Sequence, residues 1–369
     1  MRILGVHLLD DFSGAANVFT DVIAALQVAG HNVDIFTSSY GHEGFIRRRH
    51  RQVQNFWYVR SASSRWLTLL CYVSSQALLF CKTLRHCKRQ RVDLLYANTL
   101  MPAGAVIAAW VLRLPIVIHV HETSLSPPLL QKGLTRIARS CATRTIAVSE
   151  FTKTQLKLGE HCYVVYNSLS DDMWKRALTV RHTPFQKRNG GRPCVFMACS
   201  PRIYKGIDTF LALCDATADM NNIHWRMALN CERDEFEIFL ANNRRANLEL
   251  LHRPRDISNL YANAHVVLNL SDPDLWLETF ALTLLEGMAH GCYVLGPAFG
   301  GVPELIQSGY GGQLIDPRRF DEVLSAIISI VQSPEEWQTQ SGRAVERAVR
   351  FDLVTFNRNI KAVIAELET

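Results

Sequence analysis

HTPFQKRNGGRPCVFMAC, residues 182–199, decides how the chain divides. Pro184, Gly190, Gly191 and Pro193 stand among charged residues, a composition that interrupts regular structure, and an apolar run follows at once. Upstream, RILGVHLL (2–9), NVDIF (32–36), DLLYAN (93–98), PIVIHVH (115–121), RTIAVS (144–149) and YVVYN (163–167) read as strands, with helix-length patterns between several of them. Downstream the alternation restarts with CVFMAC (194–199), a helix from about Ile207, HWRMALN (224–230), NLELL (247–251) and HVVLNLS (265–271). A helix from Phe280 closed by Gly291, then YVLGP (293–297), continue it, and beyond Pro317 the pattern is helical. Strands that alternate with crossover helices imply a parallel sheet, and a restart after a linker implies two. The expected architecture is α/β, with two doubly wound domains facing across a cleft. Their expected limits are residues 1–183 and 194–350, with a linker at 184–193 and a C-terminal helix, 351–369, packing back toward the first domain. Ligands of such sheets sit at the carboxyl ends of the strands.

Composition narrows the class. Of 369 residues 48% are hydrophobic and 20% charged, which excludes a disordered chain, and 20 Gly and 13 Pro spread along the length exclude a collagen-like one. The formal charge of +6 conceals an asymmetry. Up to Arg181 there are 22 Lys and Arg against 11 Asp and Glu, or +11, and beyond it 18 against 23, or −5. The ten cysteines form no CxxC pair and read as buried thiols of a reducing compartment. MRILGVHLLDDFSG meets Asp10 and Asp11 too early for a signal peptide, so a cytoplasmic location is expected. Trp66 to Cys81 is apolar for 16 residues but interrupted by Ser74, Ser75 and Gln76. That is shorter than the roughly 20 residues a membrane span needs.

The stretch richest in chemistry is SDPDLWLETFALTLLEGMAHG, 271–291. Glu278 and Glu286 lie eight residues apart, so in a continuous helix their Cα atoms would stand about 12 Å apart along the axis. They could hold two ends of an extended ligand but not share one proton or metal. The amides of Phe280, Ala281 and Thr283 fall where a helix N-terminus offers unpaired N–H groups to a phosphate. The plainer alternative makes Glu278 a first-turn acid on the helix dipole and Glu286 a solvated surface residue. SPRIYKGIDTF, 200–210, places Arg202 and Lys205 on a strand-to-helix loop, where two cations suit a diphosphate. Taken alone it also reads as a solvated loop.

Together these stretches resemble the retaining nucleotide-sugar glycosyltransferases of the GT-B fold, family 4 (glycosyl transferases group 1). The likeness extends over nearly the whole chain and is strongest from Cys199 to Pro317: Arg202 with Lys205-Gly206, the E-x7-E at Glu278 and Glu286, EGMAHGCYVLG, GGVPELI (300–306) and GGQLIDP (311–317). In the first half it rests on SGAAN (13–17), His121, AVSEFTK (147–153) and YNS (166–168). The resemblance implies two Rossmann-like domains, the first binding the acceptor and the second the donor. Glu278 would contact donor-sugar hydroxyls, Glu286 the ribose, Arg202 and Lys205 the diphosphate, and the amides from Phe280 to Thr283 the phosphates and sugar. Gly14 would let the backbone approach the donor phosphate, His121 would lie beside the reacting sugar, and residues near 251–254 would line the base pocket. It further implies a UDP- or GDP-linked sugar donor, a glycan or lipid-linked acceptor in surface polysaccharide assembly (lipopolysaccharide, O-antigen or exopolysaccharide), retention of configuration, and no metal or other cofactor.

Three positions depart from the family pattern: Gly14-Ala15 replaces paired glycines, Arg202 and Lys205 are three apart and not five, and Thr279 and Ala281 replace glycines. Other signals compete. Asp272-Pro273-Asp274 is a DxD metal motif, though a three-residue match in a loop, and His119 and His121 with Glu122 could ligate zinc, but no further His or Cys falls at ligand spacing nearby and a satisfied cleft histidine is the better reading. A dinucleotide-dependent oxidoreductase lacks its G-x-G-x-x-G. A GT-B nucleotide-sugar epimerase and a non-catalytic nucleotide-binding scaffold remain open alternatives. The basic half suggests an anionic acceptor, with Arg47, Arg48, Arg49 and Arg51 facing acceptor or membrane, followed by Arg60, Arg65, Lys82, Arg85, Lys88, Arg89 and Arg91. Peripheral association with the inner face of an anionic cytoplasmic membrane is one expectation, and a buried helix flanked by solvated cations is the other. Nucleic acid is not expected, because no binding motif accompanies the charge.

Overall fold

The computed structural model of the chain describes residues 1–39, 43–58, 64–220 and 223–368, and the side chain of Arg65 is outside the description. Two units emerge: Met1–Asn167 with Val354–Thr369, and Ser168–Leu353.

The first unit is built on β1 (Arg2–Leu9), α1 (Gly14–Val28), β2 (Asn32–Ser38), α2 (Phe45–Arg49), β3 (Val53–Asn55) and α3 (Arg65–Gln90). It continues with β4 (Leu94–Asn98), α4 (Ala103–Val111), β5 (Ile116–Val120), α5 (Pro128–Cys141), β6 (Arg144–Ala147), α6 (Glu150–Gln155) and β7 (Cys162–Val164). All seven strands are parallel, in the order β3-β2-β1-β4-β5-β6-β7. The central strands β4 and β5 are buried at every residue, as a parallel sheet covered on both faces requires.

The second unit holds α7 (Asp171–Val180), β8 (Cys194–Cys199), α8 (Ile207–Ala216), β9 (His224–Leu229), α9 (Arg233–Asn242), β10 (Leu248–His252) and α10 (Ile257–Asn263). Then follow β11 (Val266–Leu268), α11 (Leu282–Ala289), β12 (Tyr293–Pro297), α12 (Val302–Leu305), β13 (Gln307–Ser308), β14 (Gly311–Ile315), α13 (Phe320–Val331) and α14 (Pro334–Val349). Its sheet, also parallel, runs β10-β9-β8-β11-β12-β14-β13. The last helix, α15 (Leu353–Ala365), lies almost wholly within the first unit, where Glu366 just beyond it pairs with Arg144 at 3.1 Å.

The expected linker at 184–193 needs correction. The boundary between units falls at Asn167/Ser168, and Phe185–Gly191 is a 3-10 segment packed into the second unit. Phe185 belongs to that unit's core, its ring tilted against His265 and edge-on to Trp337. Arg188 is fully buried and donates to the carbonyl oxygens of Thr183, Tyr261, Ala264 and His290, with its guanidinium 5.0 Å over the Trp337 ring. Pro, Gly and charge at 184–193 signal a break in regular structure, but not whether the break is packed. Arg188→Leu strips donors from four carbonyls and is expected to destabilise the second unit by roughly 3 kcal/mol or more. Calorimetry should then show its melting lowered by about 6–12 °C; an unchanged transition would mean that Arg188 braces nothing.

Candidate active site

In the second unit, Lys205 and Glu278 come from loops at the carboxyl ends of β8 and β11, the place a doubly wound sheet reserves for ligands. Their approach depends on two glycines. Gly206 has φ +73°, and a Cβ there would sit 2.1 Å from the Leu270 carbonyl oxygen. Gly300 has φ +70°, and a Cβ there would meet the Glu278 carbonyl oxygen at 2.3 Å, while the Gly301 N–H donates to that oxygen at 2.8 Å. Only glycine, lacking a Cβ, accepts that φ in so little room. Two of the recognised motifs, Lys205-Gly206 and Gly300-Gly301, are thus backbone contacts that place one carboxylate.

Glu278 is only 13% exposed and lies outside the helix, so it is not a first-turn acid. Lys205 Nζ donates to its Oε1 at 2.5 Å, Ser271 Oγ at 2.6 Å and Asn269 Nδ2 at 3.3 Å. Among the described residues none bonds Oε2. Burial pushes the Glu278 carboxyl up, but the charge of Lys205 and the three donated bonds outweigh it, and the net shift is downward. Glu278 is therefore held ionised. Lys205 in turn lies 5.6 Å from the ring centroids of both Tyr204 and Trp276, which stack 5.2 Å apart.

Helix α11 begins at Leu282, two residues later than expected, with Ala281 as its N-cap at φ +66° and no side-chain cap. Its first amides are consequently uncapped by any side chain. Phe280 is buried against Phe351, 5.6 Å away, so of this residue only the backbone suits a ligand. Glu286, far from being a solvated surface residue, accepts a hydrogen bond from Tyr261 Oη at 2.5 Å, and burial raises its carboxyl to about 7 although that bond opposes the shift. Arg202 is not gathered with Lys205: it makes an exposed pair with Glu235 at 3.1 Å. In the 251–254 stretch, Arg253 donates to Asn230 and Glu232.

The DxD carboxylates have structural partners. Asp272 Oδ1 accepts the Asp274 N–H at 2.9 Å, and Asp274 pairs with Arg318 at 2.7 Å. Among the described residues no three His, Cys, Asp or Glu side chains converge as metal ligands.

The first unit holds a separate polar cluster. Gly14 is exposed at the first turn of α1, whose N-cap Ser13 accepts the Ala16 N–H. The Ala15 carbonyl can only accept, so the Asn98 amide nitrogen faces it at 3.0 Å and also meets His7 Nδ1 at 2.9 Å. The Asn98 oxygen therefore faces His121 Nε2 at 3.0 Å, which must carry the proton and leaves Nδ1 with its lone pair. Burial, and then the neighbouring His119 and His7, press His121 well below the ordinary range, so the ring is neutral. His119 bonds Tyr96 Oη at 2.8 Å, and its ring is tilted against that of His121 with centroids 4.3 Å apart. Glu122, raised to about 7 by burial, accepts the amides of Leu100 and His121.

The arginine run has partners within the first unit. Asp10 accepts the N–H groups of Ile46 and Arg47, Arg47 also bonds Asn55, and Arg48 lies 4.5 Å over the Phe12 ring. Arg49 pairs with Asp21 at 2.7 Å. Three of the four thus turn onto the β1–α1 region, Arg47 and Arg49 toward acids distant in sequence and Arg48 onto an aromatic ring, while Arg48 and Arg49 stay exposed. Arg51 stays exposed, and Arg60 lies outside the described residues.

Asn269, Ser271, Tyr261 and Asn98 were not singled out from sequence. The available signal was a polar residue at the end of an apolar strand run, as in HVVLNLS and DLLYAN.

Two doubly wound units with parallel sheets, one carrying a largely buried lysine–carboxylate pair beside an uncapped helix start, define a class of two-domain α/β protein suited to an anionic ligand. Family models agree: "Glycosyltransferase Family 4" matches residues 12–172 and "Glycosyl transferases group 1" matches 192–333. The chain belongs to the family 4 glycosyltransferases of the GT-B fold. N-acetyl-alpha-D-glucosaminyl L-malate synthase of Bacillus anthracis is 22% identical over 93% of this chain and 91% of that protein. A sucrose synthase of Thermosynechococcus vestitus is 38% identical over 74 residues, 19% of this chain and 9% of that protein. HepE of Anabaena, solved in complex with UDP-glucose, superposes with a TM-score of 0.77 at 22% identity, over 99% of this chain and 100% of that one.

Unfolding should report on Glu286. Between its ordinary 4.5 and about 7 the unfolded chain releases this proton while the folded chain keeps it, so its contribution to stability falls as pH rises through that window. Glu286→Gln should flatten the decline measured by denaturant titration at pH 5, 6 and 7. An identical slope in the variant would exclude the buried protonated state.

Proposed function

We propose that this glycosyltransferase moves a sugar from a nucleoside diphosphate to an anionic glycan or lipid-linked acceptor with retention of configuration, in surface polysaccharide assembly at the cytoplasmic face of a membrane. The observation that carries the donor half is the Lys205–Glu278 pair, whose three donors all fall on Oε1 and leave Oε2 for a sugar hydroxyl. In the reaction the bond from the anomeric carbon to the diphosphate oxygen breaks and one to the acceptor oxygen forms. The acceptor's proton passes to the leaving phosphate. Negative charge grows on the diphosphate as this happens, and Lys205 with the amides of Leu282 and Thr283 is suited to stabilise it. Arg202 would join them only by leaving Glu235. A neutral His121 with a free lone pair suits a neighbourhood where positive charge develops on the sugar, since an imidazolium would oppose it. Glu286 fits the ribose and Gly14 the donor phosphate.

HepE's complex with UDP-glucose favours UDP as the donor nucleotide, with GDP as the other choice. The first unit carries 21 Lys and Arg against 11 Asp and Glu, or +10, which favours an anionic acceptor. The Bacillus anthracis relative is named for a glycosylated malate, itself an anion. Transfer should survive EDTA, because the leaving-group charge is assigned to protein cations and amides.

Glu278→Gln and Lys205→Ala should each lower turnover roughly 100- to 1,000-fold, with nucleotide-induced thermal shifts kept in the glutamine variant. Near-normal transfer by either would refute the assignment. Donor consumed without acceptor would indicate an epimerase, and nucleotide binding with neither transfer nor hydrolysis a scaffold.

A further inference from the structure

Helix α3 contradicts the expectation of a buried helix. Trp66–Gln90 is long and apolar enough to cross a bilayer by length and composition, yet one of its faces is committed to the fold. Tyr72, Ser75, Leu79, Thr83 and Cys87, spaced three or four apart, are buried. Tyr72 Oη donates to the Met101 carbonyl at 2.8 Å, and the Gly104 N–H at the start of α4 donates to Gln76 Oε1 at 3.0 Å. Gly104 is so close that a Cβ would meet the Gln76 carbonyl oxygen at 2.1 Å.

The opposite face is open. Trp66 is 77% exposed, and Leu67, Leu70, Val73 and Leu78 are each more than half exposed. They share an arc at helical spacing, about 18 Å long from Trp66 to Leu78. On the same arc the next turns carry exposed Arg85, Lys88 and Arg89. Lys82 is excluded from it, because its ammonium turns onto the Asn55 carbonyl and lies 4.5 Å from the Phe36 ring centroid. One face is therefore apolar toward its N-terminal end and basic toward its C-terminal end. From Gly44 to Val92 the sequence has 11 Lys and Arg and no Asp or Glu.

We infer that this face of α3 docks the protein on an anionic phospholipid bilayer, the helix lying in the interfacial plane with Trp66, Leu67, Leu70, Val73 and Leu78 among the acyl chains and Arg85, Lys88 and Arg89 on headgroup phosphates. Crossing the bilayer would drag the Gln76–Gly104 contact and α4 into hydrocarbon, so the helix lies on the membrane and does not span it. The charge selects the occupant. A second copy would bring the same excess of cations with no acid on this segment to meet it, whereas an anionic leaflet complements both ends of the stripe. The docking surface requires no transfer activity and is distinct from the donor site.

Flotation of the full chain with vesicles tests it, reading binding alone, so a failed transfer assay leaves the result intact. The wild type should float with vesicles of equal phosphatidylglycerol and phosphatidylcholine, and several-fold less with phosphatidylcholine alone or in about 0.5 M NaCl. Trp66→Ser with Leu70→Ser, exposed positions whose change leaves the core intact, should lower the bound fraction about tenfold or more. Arg85→Gln with Lys88→Gln and Arg89→Gln should abolish the preference for anionic vesicles. Equal flotation of wild type and the serine variant would overturn the inference. So would a dimer in sedimentation velocity that the serine variant dissolves while no wild type floats, since that result puts a second copy on the face.

Discussion

The Lys205–Glu278 pair organises the second unit, because a carboxylate this buried is tolerable only if a cation and hydrogen-bond donors reach it. The pair comes from two loops, and a third supplies the backbone that holds Glu278 in place. Gly206 lets the Lys205 loop settle on the Leu270 carbonyl, next to Asn269 and Ser271, and Gly300 lets the Gly300-Gly301 turn close on the Glu278 carbonyl. Each contact is short enough that one methyl group would displace it. The local motifs are in this sense one device, and their spacing in sequence reflects the order of strands in the sheet.

A second constraint operates beneath the first. Arg188 ties the carbonyls of Tyr261 and Ala264, at the end of α10, to that of His290, at the end of α11. Those are the helices that carry Tyr261 and Glu286, so a buried cation in an irregular segment sets the distance between Tyr261 and the Glu286 carboxyl. The His290 ring adds to the brace, bonding Ser258 on α10 through Nε2 and the Glu286 carbonyl through Nδ1.

Charge is distributed with the same economy. Redrawn at the true boundary, the first unit carries +10 and the second −4. The acidic unit is the one proposed to bind a polyanion, and it has one half-buried lysine and a helix start with which to do so. In the basic unit much of the arginine run is neutralised by Asp10 and Asp21, while the cations at the end of α3 stay exposed. Net charge is a property of composition, but which cations remain available is a matter of which acids they meet.

The strands RILGVHLL, CVFMAC and YVLGP were legible to the residue, since a strand covered on both faces needs an unbroken apolar run. Val53–Asn55, Gln307–Ser308 and Gly311–Ile315 were not, being short, polar or rich in glycine at the sheet edges or next to them. Sequence by itself determined the class of fold and the family, and it singled out Lys205, Glu278 and Glu286 as candidates, because periodicity and motif spacing are local properties of the chain. Only the tertiary structure decided that Phe185–Gly191 is packed, that Arg202, Arg47 and Arg49 turn to acids elsewhere in their units, that Asn98 sets the His121 tautomer, and that one face of α3 is left open. Each of those outcomes depends on which distant groups a side chain meets, and burial and pairing are set by the whole fold.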